Sequence, residues 1–443
     1  MRKKTFVFPK LTLRPEAQEY LRNVFTNKEL VAAVGHEEAE SRFDELLCHL
    51  SHPPSFTCVR ASTHLEPLDV IRERLLEKLR QMGCYNGGDI PVLSHTQLPD
   101  VLLLHVIGPR PALPENPEVI VGAQCGNAVL RGAHVFAPGI LSAPKYMKAG
   151  DKGNKVFVGN GVAEMARADI FCSDEPVKGV GIRMVEPVYL SPSFDDLLPS
   201  LVFLQNLPSV VVGHVLGPRP GGEGSWTCAR RPGGRPRTSP ALMKGSDQRA
   251  RVSVSARLPR PYSWTASRAY CFNSIQAVRT EHAQKPDAVT DGPPFPEESF
   301  DRVLLDAPCS GLGQRPNMGC FWSLREIRSY QPLQRQALPH VRLLKRGGTG
   351  GLGIGHSFPC LTLQPQEPHI GGEGMLGAGL SQDQLRLLQR FSPVREPSGL
   401  PGDPDPEPGA PPLTGIKEME PARLLQQANT DTIGFFIAKF VKT

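Results

Sequence analysis

The chain has 443 residues, 40% of them apolar and 21% charged, so it is long enough for two or three domains and has an ordinary globular composition. These figures exclude a peptide hormone, a disulfide-rich miniprotein and a wholly disordered chain. The net charge is +6, whereas the block from Arg219 to Arg268 alone carries a net of +9, so the basic excess is local.

The ten cysteines show no paired spacing, which excludes a disulfide framework and a zinc ribbon, and we expect no metal site. No apolar stretch approaches the roughly 18 residues of a membrane span, and no apolar segment follows the basic start at Met1. We therefore expect a cytoplasmic protein, monomeric and not bound to membranes.

Residues 1–110 are predicted to form a small α+β section. Apolar residues recur at helical spacing over residues 15–50, which indicates two helices joined near Gly35. A strand is predicted at 56–60, a helix at 68–82 and a second strand at 101–107.

Residues 111–206 show a different pattern. Short runs rich in β-formers are separated by glycine, at 119–122, 132–140, 155–161 and 181–184. Such spacing predicts a compact β-barrel.

The third section, residues 207–443, contains the strongest strand signals. A buried strand is predicted at 300–306, a helix at 323–344 that ends at a cap over 345–348, and a terminal strand at 432–441. Residues 393–415 are rich in proline and are predicted to be a linker.

A candidate site follows the strand at 300–306. Ligands of open α/β sheets bind outside the carboxyl ends of the strands, and this strand delivers Asp306 and then Cys309 to that edge. The carboxylate can accept hydrogen bonds from an amino group or a protonated ring nitrogen, and the thiol can act as a nucleophile. A simpler alternative stays open, in which Asp306 caps a turn and Cys309 is a buried core residue.

Further motifs around this site indicate a protein family. The chain resembles the Nop/Sun family of S-adenosylmethionine-dependent RNA cytosine-5 methyltransferases, in the branch with an inserted PUA domain. The resemblance rests on ordered matches that span most of the chain, among them residues 121–134, 186–195, 306–317 and 370–375. It implies a Rossmann-like methyltransferase domain of class α/β, an N-terminal α+β RNA-recognition-like section and a PUA β-barrel.

The resemblance also implies a mechanism. One cysteine thiolate adds to carbon 6 of a flipped-out cytosine, so that carbon 5 can attack the sulfonium methyl group, and a second cysteine helps to release the product. By position, Cys309 is the assisting cysteine, while Asp306 contacts the base and lies near the cofactor. The PUA domain would hold the acceptor end of a tRNA, with candidate RNA contacts at Arg131, Phe136, Lys145 and Lys148.

The first departure from the family lies in the basic block, residues 219–268. At the positions of residues 225–240, the family has a buried strand and a glycine turn that contacts the cofactor. Codons for that family stretch, when read one base late, can encode residues 225–240 of this chain. This indicates a frameshift. We therefore predict no buried strand there and no continuous helix, because prolines occupy positions 232, 236 and 240. We also expect the acidic contact to the cofactor ribose to be lost.

The second departure lies at residues 347–357. The family has a strand that ends in Thr-Cys-Thr, whose cysteine is the attacking nucleophile, and this segment has no cysteine. Cys360, which follows among apolar residues, is predicted to be a core residue.

Two smaller departures weaken binding. Asn273 stands where the family has an aspartate that reads the adenine amino group, so an amide replaces a carboxylate. The PUA stretch between Gly150 and Lys155 is shorter than in relatives.

The sequence thus predicts a tRNA cytosine-5 methyltransferase by family, with impaired activity in this chain. Two alternatives stay open: a catalytically inactive RNA-binding protein of the PUA type, and a frameshifted gene model whose true product is active. Attack by Cys309 itself is a further possibility, by analogy with other pyrimidine methyltransferases.

Overall fold

A computed structural model describes the greater part of the first half of the chain and the central elements of the second half. The described residues are 11–26, 31–32, 34–82, 92–110, 118–142, 157–172, 177–194, 197–217, 225–229, 297–306, 309–319, 322–337, 344–355, 389–391 and 421–442.

The chain begins with two packed helices, α1 (Pro15–Phe25) and α2 (His36–His49). Gly35 precedes α2 with a φ of +88°, a left-handed conformation that favours glycine, so the predicted break between the helices is confirmed. Arg22 of α1 forms ion pairs with Glu40 and Asp44 of α2, and its guanidinium lies 4.6 Å from the centre of the Phe43 ring. These contacts fix the two helices against each other.

An antiparallel four-stranded sheet follows, in the order β2-β3-β1-β9. Its strands are β1 (Phe56–Ala61), β2 (Val92–Ser94), β3 (Val101–His105) and β9 (Val202–Leu204), and helix α3 (Leu68–Gln81) packs on one face. The predicted strand and helix at 56–60 and 68–82 are confirmed. The strand predicted at 101–107 ends at His105, and Ile107 instead forms a single bridge with Leu190.

Between β3 and β9 lies a small section built from short elements. It contains β4 (Ile120–Val121), α4 (Ala123–Val129), β5 (Val135–Phe136), β6 (Ile140–Ser142), β7 (Gly159–Ala163), α5 (Arg167–Phe171) and β8 (Val180–Pro187). Strand β4 pairs with β6, and the other strands form a sheet in the order β5-β8-β7. Val129, Val135 and Ile140 form the shared buried core of these elements.

The second half is organised by a five-stranded sheet in the order β10-β11-β12-β14-β13. Strands β10 (Ser225–Ala229), β11 (Phe300–Asp306) and β12 (Leu344–Gly355) are parallel, whereas β14 (Phe435–Val441) runs antiparallel to both β12 and β13 (Gln389–Phe391). Helix α7 (Leu324–Ala337) lies between β11 and β12 in the chain. The buried strand predicted at 300–306 is confirmed.

Two helices join the N-terminal sheet to the second sheet. Helix α6 (Leu207–Leu216) packs Leu207 and Val210 against Phe56 of β1, and it packs Val212 and Leu216 against β11 and β14. Helix α8 (Pro421–Thr430) adds Leu424 and Ala428 to the same N-terminal cluster. His95 and His214 add polar contacts, to Asn429 at 2.9 Å and to Asp100 at 2.7 Å.

Among the residues that the structure describes, no helix is both long enough and apolar enough to cross a membrane.

Candidate active site at the carboxyl edge of the parallel strands

The carboxyl ends of β10, β11 and β12 meet at one edge of the second sheet. The register places Ala229 beside Asp306, the last residue of β11, and Leu352 beside Leu305. Phe300, Val303 and Leu304 are buried and anchor β11 in the core, so the backbone position at which the strand ends is set by packing along its length. This is the edge at which α/β sheets bind their ligands.

Strand β10 corrects one sequence prediction. We predict no buried strand within residues 225–240, yet residues Ser225–Ala229 form a strand that pairs with β11 in parallel over five positions. A strand can form here because the prolines begin only at position 232. Residues 225–229 include Trp226, Thr227 and Cys228, which favour strands, and their main chain pairs with that of β11.

Strand β12 corrects a second prediction. The helix predicted at 323–344 ends at Ala337, and residues 345–348, predicted to be its cap, belong to β12. Six of the twelve residues of β12 are glycine, which hides the strand from propensity reasoning, while main-chain pairing with β11 and β14 on both sides supports it. No cysteine stands anywhere in Leu344–Gly355, as the sequence required.

The loop after β11 carries the predicted thiol. Cys309 is partly exposed, Ser310 is buried, and Gly311 has a φ of +76° with open space where a side chain would start. Leu312 is buried against Leu50 and Ile327, so the loop turns back into the core three residues after the thiol. Of the two predicted site residues, Asp306 is therefore at the strand end and Cys309 stands on the loop that leaves it.

Helix α7, which carries Ile327, is fixed at its start by a reciprocal cap. The Ser323 hydroxyl accepts a hydrogen bond from the Glu326 amide at 3.3 Å, and the Glu326 carboxylate accepts from the amide and the hydroxyl of Ser323 at 2.8 and 2.7 Å. These hydrogen bonds, led by the one from the Ser323 amide, hold the pKa of Glu326 below its usual value.

The small section between β3 and β9 touches the far end of this loop. The Met318 amide donates to the Asn127 side-chain oxygen on α4 at 3.2 Å, and a side chain at Gly126 would come within 2.7 Å of the Met318 methyl carbon. Met318 also packs on Leu130 and Tyr189. The loop that begins near Cys309 thus ends against this section, and no sequence pattern indicates that contact.

His52, after α2, and Tyr189, after β8, form a pair where the N-terminal section meets the section between β3 and β9. The Nδ1 atom of His52 and the phenol oxygen of Tyr189 share a hydrogen bond. Burial, with the positive charges of Arg315 and His49, lowers the pKa of His52 to about 4, and burial raises the pKa of Tyr189. Both side chains are consequently neutral at neutral pH.

The predicted RNA contacts are only partly within the described residues. Arg131 is exposed just after α4, and Phe136 on β5 is 40% exposed, a large fraction for an aromatic ring. Lys145, Lys148 and the predicted cofactor contact Asn273 lie outside the described residues, as do Cys360 and the linker predicted at 393–415. Within the described part of the chain, no three histidine, cysteine or acidic side chains gather as metal ligands.

No protein-family model matches the chain. Among curated proteins, it is 47% identical to the tRNA (cytosine(72)-C(5))-methyltransferase NSUN6 of Homo sapiens, over 98% of this chain and 99% of that protein. It is 26% identical to a tRNA (cytosine(72)-C(5))-methyltransferase of Pyrococcus horikoshii, over 87% of this chain and 93% of the relative. The human match extends over 483 positions, more than the 443 residues of this chain, so the chain lacks stretches that the relative has.

A solved structure supports the fold. The crystal structure of NSun6 from Pyrococcus horikoshii with SFG superposes with a TM-score of 0.59, at 22% identity, over 97% of this chain and 98% of that one. This likeness identifies the second sheet and its helices as a Rossmann-like methyltransferase fold. Together with the extent of identity to the human protein, it shows that the chain belongs to the Nop/Sun family of RNA cytosine-5 methyltransferases.

Proposed function

We propose that this chain binds tRNA as its relatives' names imply, and that its methyl transfer to cytosine is impaired. The family activity is S-adenosylmethionine-dependent RNA cytosine-5 methylation. One observation carries the proposed impairment: β12, whose carboxyl end lies beside that of β11, contains no cysteine. The family resemblance requires a thiol at the end of this strand for the attack on carbon 6 of the base.

The backbone of the site fits the cofactor better than its side chains do. Three parallel strands end together, which is the architecture that such cofactors use, and Asp306 stands at the middle strand. When bound, S-adenosylmethionine supplies an electrophilic methyl group. Asp306 and Asn273 are the residues that we expect to contact it, and an amide at position 273 cannot offer the negative charge that the family aspartate offers.

Cys309 and Asp306 can still serve parts of the reaction. In the proposed arrangement, Asp306 accepts a hydrogen bond from the cytosine and holds the base at the sheet edge. The Cys309 thiol then assists removal of the proton from carbon 5 after methylation, as the resemblance implies. Without a second thiol the first step, addition to carbon 6, has no nucleophile unless Cys309 itself attacks.

We further propose that the section between β3 and β9 is the PUA domain and that it contacts the RNA, while the N-terminal α+β section is the RNA-recognition-like part. Support comes from the two small sheets around one core and from the apolar side chains on their surface. Leu141, Val162 and Val185 are about 60% exposed, and the ring of Phe136 is 40% exposed. Exposed aromatic and apolar side chains suit stacking on bases, and a cation such as Arg131 suits pairing with phosphates.

A methyl-transfer assay tests the catalytic half of the proposal. The full chain is incubated with tRNA transcripts and S-adenosylmethionine that carries a tritiated methyl group. We expect little or no incorporation. Robust incorporation that Cys309→Ala abolishes, and that Cys172→Ala at an exposed thiol leaves intact, would overturn the impairment and assign the attack to Cys309.

Filter binding tests the RNA half. We expect the chain to retain tRNA, and we expect Phe136→Ala to weaken this binding by about 1–3 kcal/mol, the range for loss of one base–aromatic stack. Phe171→Ala is the matched control, because Phe171 is equally exposed at 39% on the same section and packs against Arg167. Equal losses in both variants, or no tRNA retention by the parent chain, would contradict the assignment.

Calorimetry with S-adenosylmethionine separates two forms of impairment. Binding without methyl transfer indicates that only the nucleophile is missing. No binding indicates an RNA-binding protein without cofactor chemistry.

A further inference from the structure

The loop from Cys309 to Gly319 is attached to three other parts of the molecule by main-chain groups. The Asn317 amide donates to the Leu50 carbonyl at 2.7 Å, at the end of α2. The Gly313 carbonyl accepts from the Gly434 amide at 3.0 Å, just before β14. With the Met318 contact to Asn127, these bonds place the second half of the loop at the meeting point of the N-terminal helices, the C-terminal strand and the inserted section.

Arg315 is the side chain at the centre of this meeting point. It is 3% exposed, and its Nε donates to the carbonyl oxygens of His49 at 2.9 Å and His52 at 3.1 Å. One terminal nitrogen donates to the Thr432 carbonyl at 3.1 Å and to the carboxylate of Asp431, and the other lies 3.4 Å from the Pro53 carbonyl. A planar guanidinium with five N–H groups in fixed directions is the side chain that can satisfy such a set.

Asp431 is held in turn by Ser55. The amide of Ser55 donates to the carboxylate at 2.8 Å, and its hydroxyl forms a second hydrogen bond to the same oxygen. Burial by itself raises the pKa of Asp431, but the charge and hydrogen bond of Arg315 and the two bonds from Ser55 outweigh it, so this pKa lies below the usual value. The carboxylate is therefore charged at neutral pH and neutralises the buried guanidinium.

The part of the loop between Cys309 and Arg315 contains two glycines and no helix or strand. Leu312 anchors it in the core, and the Gly313 carbonyl anchors it to Gly434. Five residues lie between Cys309 and Arg315, so the path of the chain past Cys309 depends on where Arg315 is held. A glycine-containing segment of this length samples many conformations unless both its ends are fixed.

We propose that Arg315 is a positioning residue for Cys309. By binding carbonyl groups of residues 49–53 and of Thr432, it fixes the loop that holds the thiol at the carboxyl edge of β11. The inference rests on the proposed function only in taking Cys309 as the functional thiol. A purely structural Arg315 would stabilise the fold as a whole and would not act on one thiol more than on another.

The experiment measures thiol alkylation in the folded full-length chain. Each variant reacts with N-ethylmaleimide under native conditions, and peptide mass spectrometry follows modification of Cys309 and of Cys172, an exposed thiol just after α5. The ratio of the two rates is the readout, because Cys172 corrects for general loosening within the same molecule. No methyl transfer is needed, so failure of the catalytic proposal leaves this test unaffected.

We expect Arg315→Met to raise the ratio about tenfold, because the loop then opens locally at a lower cost in free energy. Arg315→Lys keeps the charge but not the fork of donors, and it should raise the ratio less. Arg328→Met is the matched control: Arg328 is exposed on α7, 4.6 Å from the centre of the Tyr20 ring, and its loss should leave the ratio unchanged.

Circular dichroism establishes which variants are folded. A folded Arg315→Met variant with an unchanged ratio overturns the proposal, as does an equal acceleration of Cys309 and Cys172. If Arg315→Met does not fold, Arg315→Lys decides by the same criterion. Failure of both variants to fold would also overturn it, because Arg315 would then support the whole fold rather than the loop.

Discussion

Strand β11 has neighbours of two kinds at its functional end. Beside it run β10 and β12, which are joined to it by ladders of main-chain hydrogen bonds, and half of β12 is glycine. Beyond it runs the loop with Cys309, which is fixed by one buried arginine, by Leu312 and by carbonyl groups from distant segments. Both the strands and the loop belong to one site, yet different chemical groups hold them.

The difference matters because the two kinds of support respond differently to a change of sequence. A ladder uses groups that every residue except proline carries, so residues with unfamiliar side chains can still form a strand. A side-chain network needs particular donors at particular places. The backbone pairing of β10 and β12 therefore does not depend on which side chains these strands carry.

The largest expected effect comes from removal of the central donor of the loop. Arg315→Leu deletes the bonds to four carbonyl groups and removes the positive charge that neutralises the carboxylate of Asp431. We expect the free energy of unfolding to fall by about 3–5 kcal/mol, the range for breaking a buried ion pair from one side. Chemical denaturation measures it, with Arg328→Leu as the control on an exposed helix face. A loss below about 1 kcal/mol would contradict the role given to this network.

The pH dependence of stability sharpens the comparison, because His52 belongs to the network that supports the loop: its carbonyl accepts a hydrogen bond from Arg315. Its pKa is about 4 in the folded chain and 6.5 when unfolded, so below pH 6.5 the unfolded state binds more protons. Stability should therefore decrease as the pH falls from about 6.5 to about 4, by about 3 kcal/mol at most for this residue.

The variant His52→Gln isolates this contribution. Burial also lowers the pKa of His105, and burial with the charge of Arg60 lowers that of His64, so both add to the total slope in the same direction. We expect the difference between stabilities at pH 7 and pH 4.5 to be smaller in the variant than in the parent chain. An unchanged difference would show that His52 is not held neutral.

The smallest effect concerns the backbone of the loop. Gly311 has a left-handed φ and open space around a Cβ position, so Gly311→Ala adds strain without a clash. We expect a loss of about 1 kcal/mol in the free energy of unfolding. Gly311→Asn is the matched control, because asparagine tolerates this conformation better and should cost less. The reverse order would indicate that a contact, not the backbone, decides.

The elements that could be predicted from the sequence are those whose residues form a recognisable pattern within a short segment. The helical spacing before and after Gly35 and the apolar run that ends at Asp306 were sufficient for those elements, and ordered motifs were sufficient for the family. Strand β10 was not predicted because its five residues adjoin a segment whose prolines disfavour regular structure. Strand β12 was missed because glycine has no side-chain preference to read, and only its two neighbours specify its conformation.

The network around Arg315 could not be predicted for a different reason. Its acceptors lie at residues 49–53 and 431–432, more than a hundred residues away on either side, and most of them are main-chain carbonyls. Every residue has a main-chain carbonyl group, so the sequence does not show which of them will accept a hydrogen bond. The contact of Asn127 could not be predicted either, because its neighbours in the sequence do not indicate that it binds the Met318 amide.

The route by which the chain enters and leaves the inserted section has a consequence for engineering. Ile107 and Leu190 pair as an antiparallel bridge, and the Arg110 amide donates to the Val188 carbonyl at 2.8 Å, so departure and return lie side by side. The four-stranded sheet is then completed by β9 downstream of the return. The section can therefore be exchanged at one point of the chain, by a turn that joins Ile107 to Leu190, but its contacts with Met318 would be lost with it.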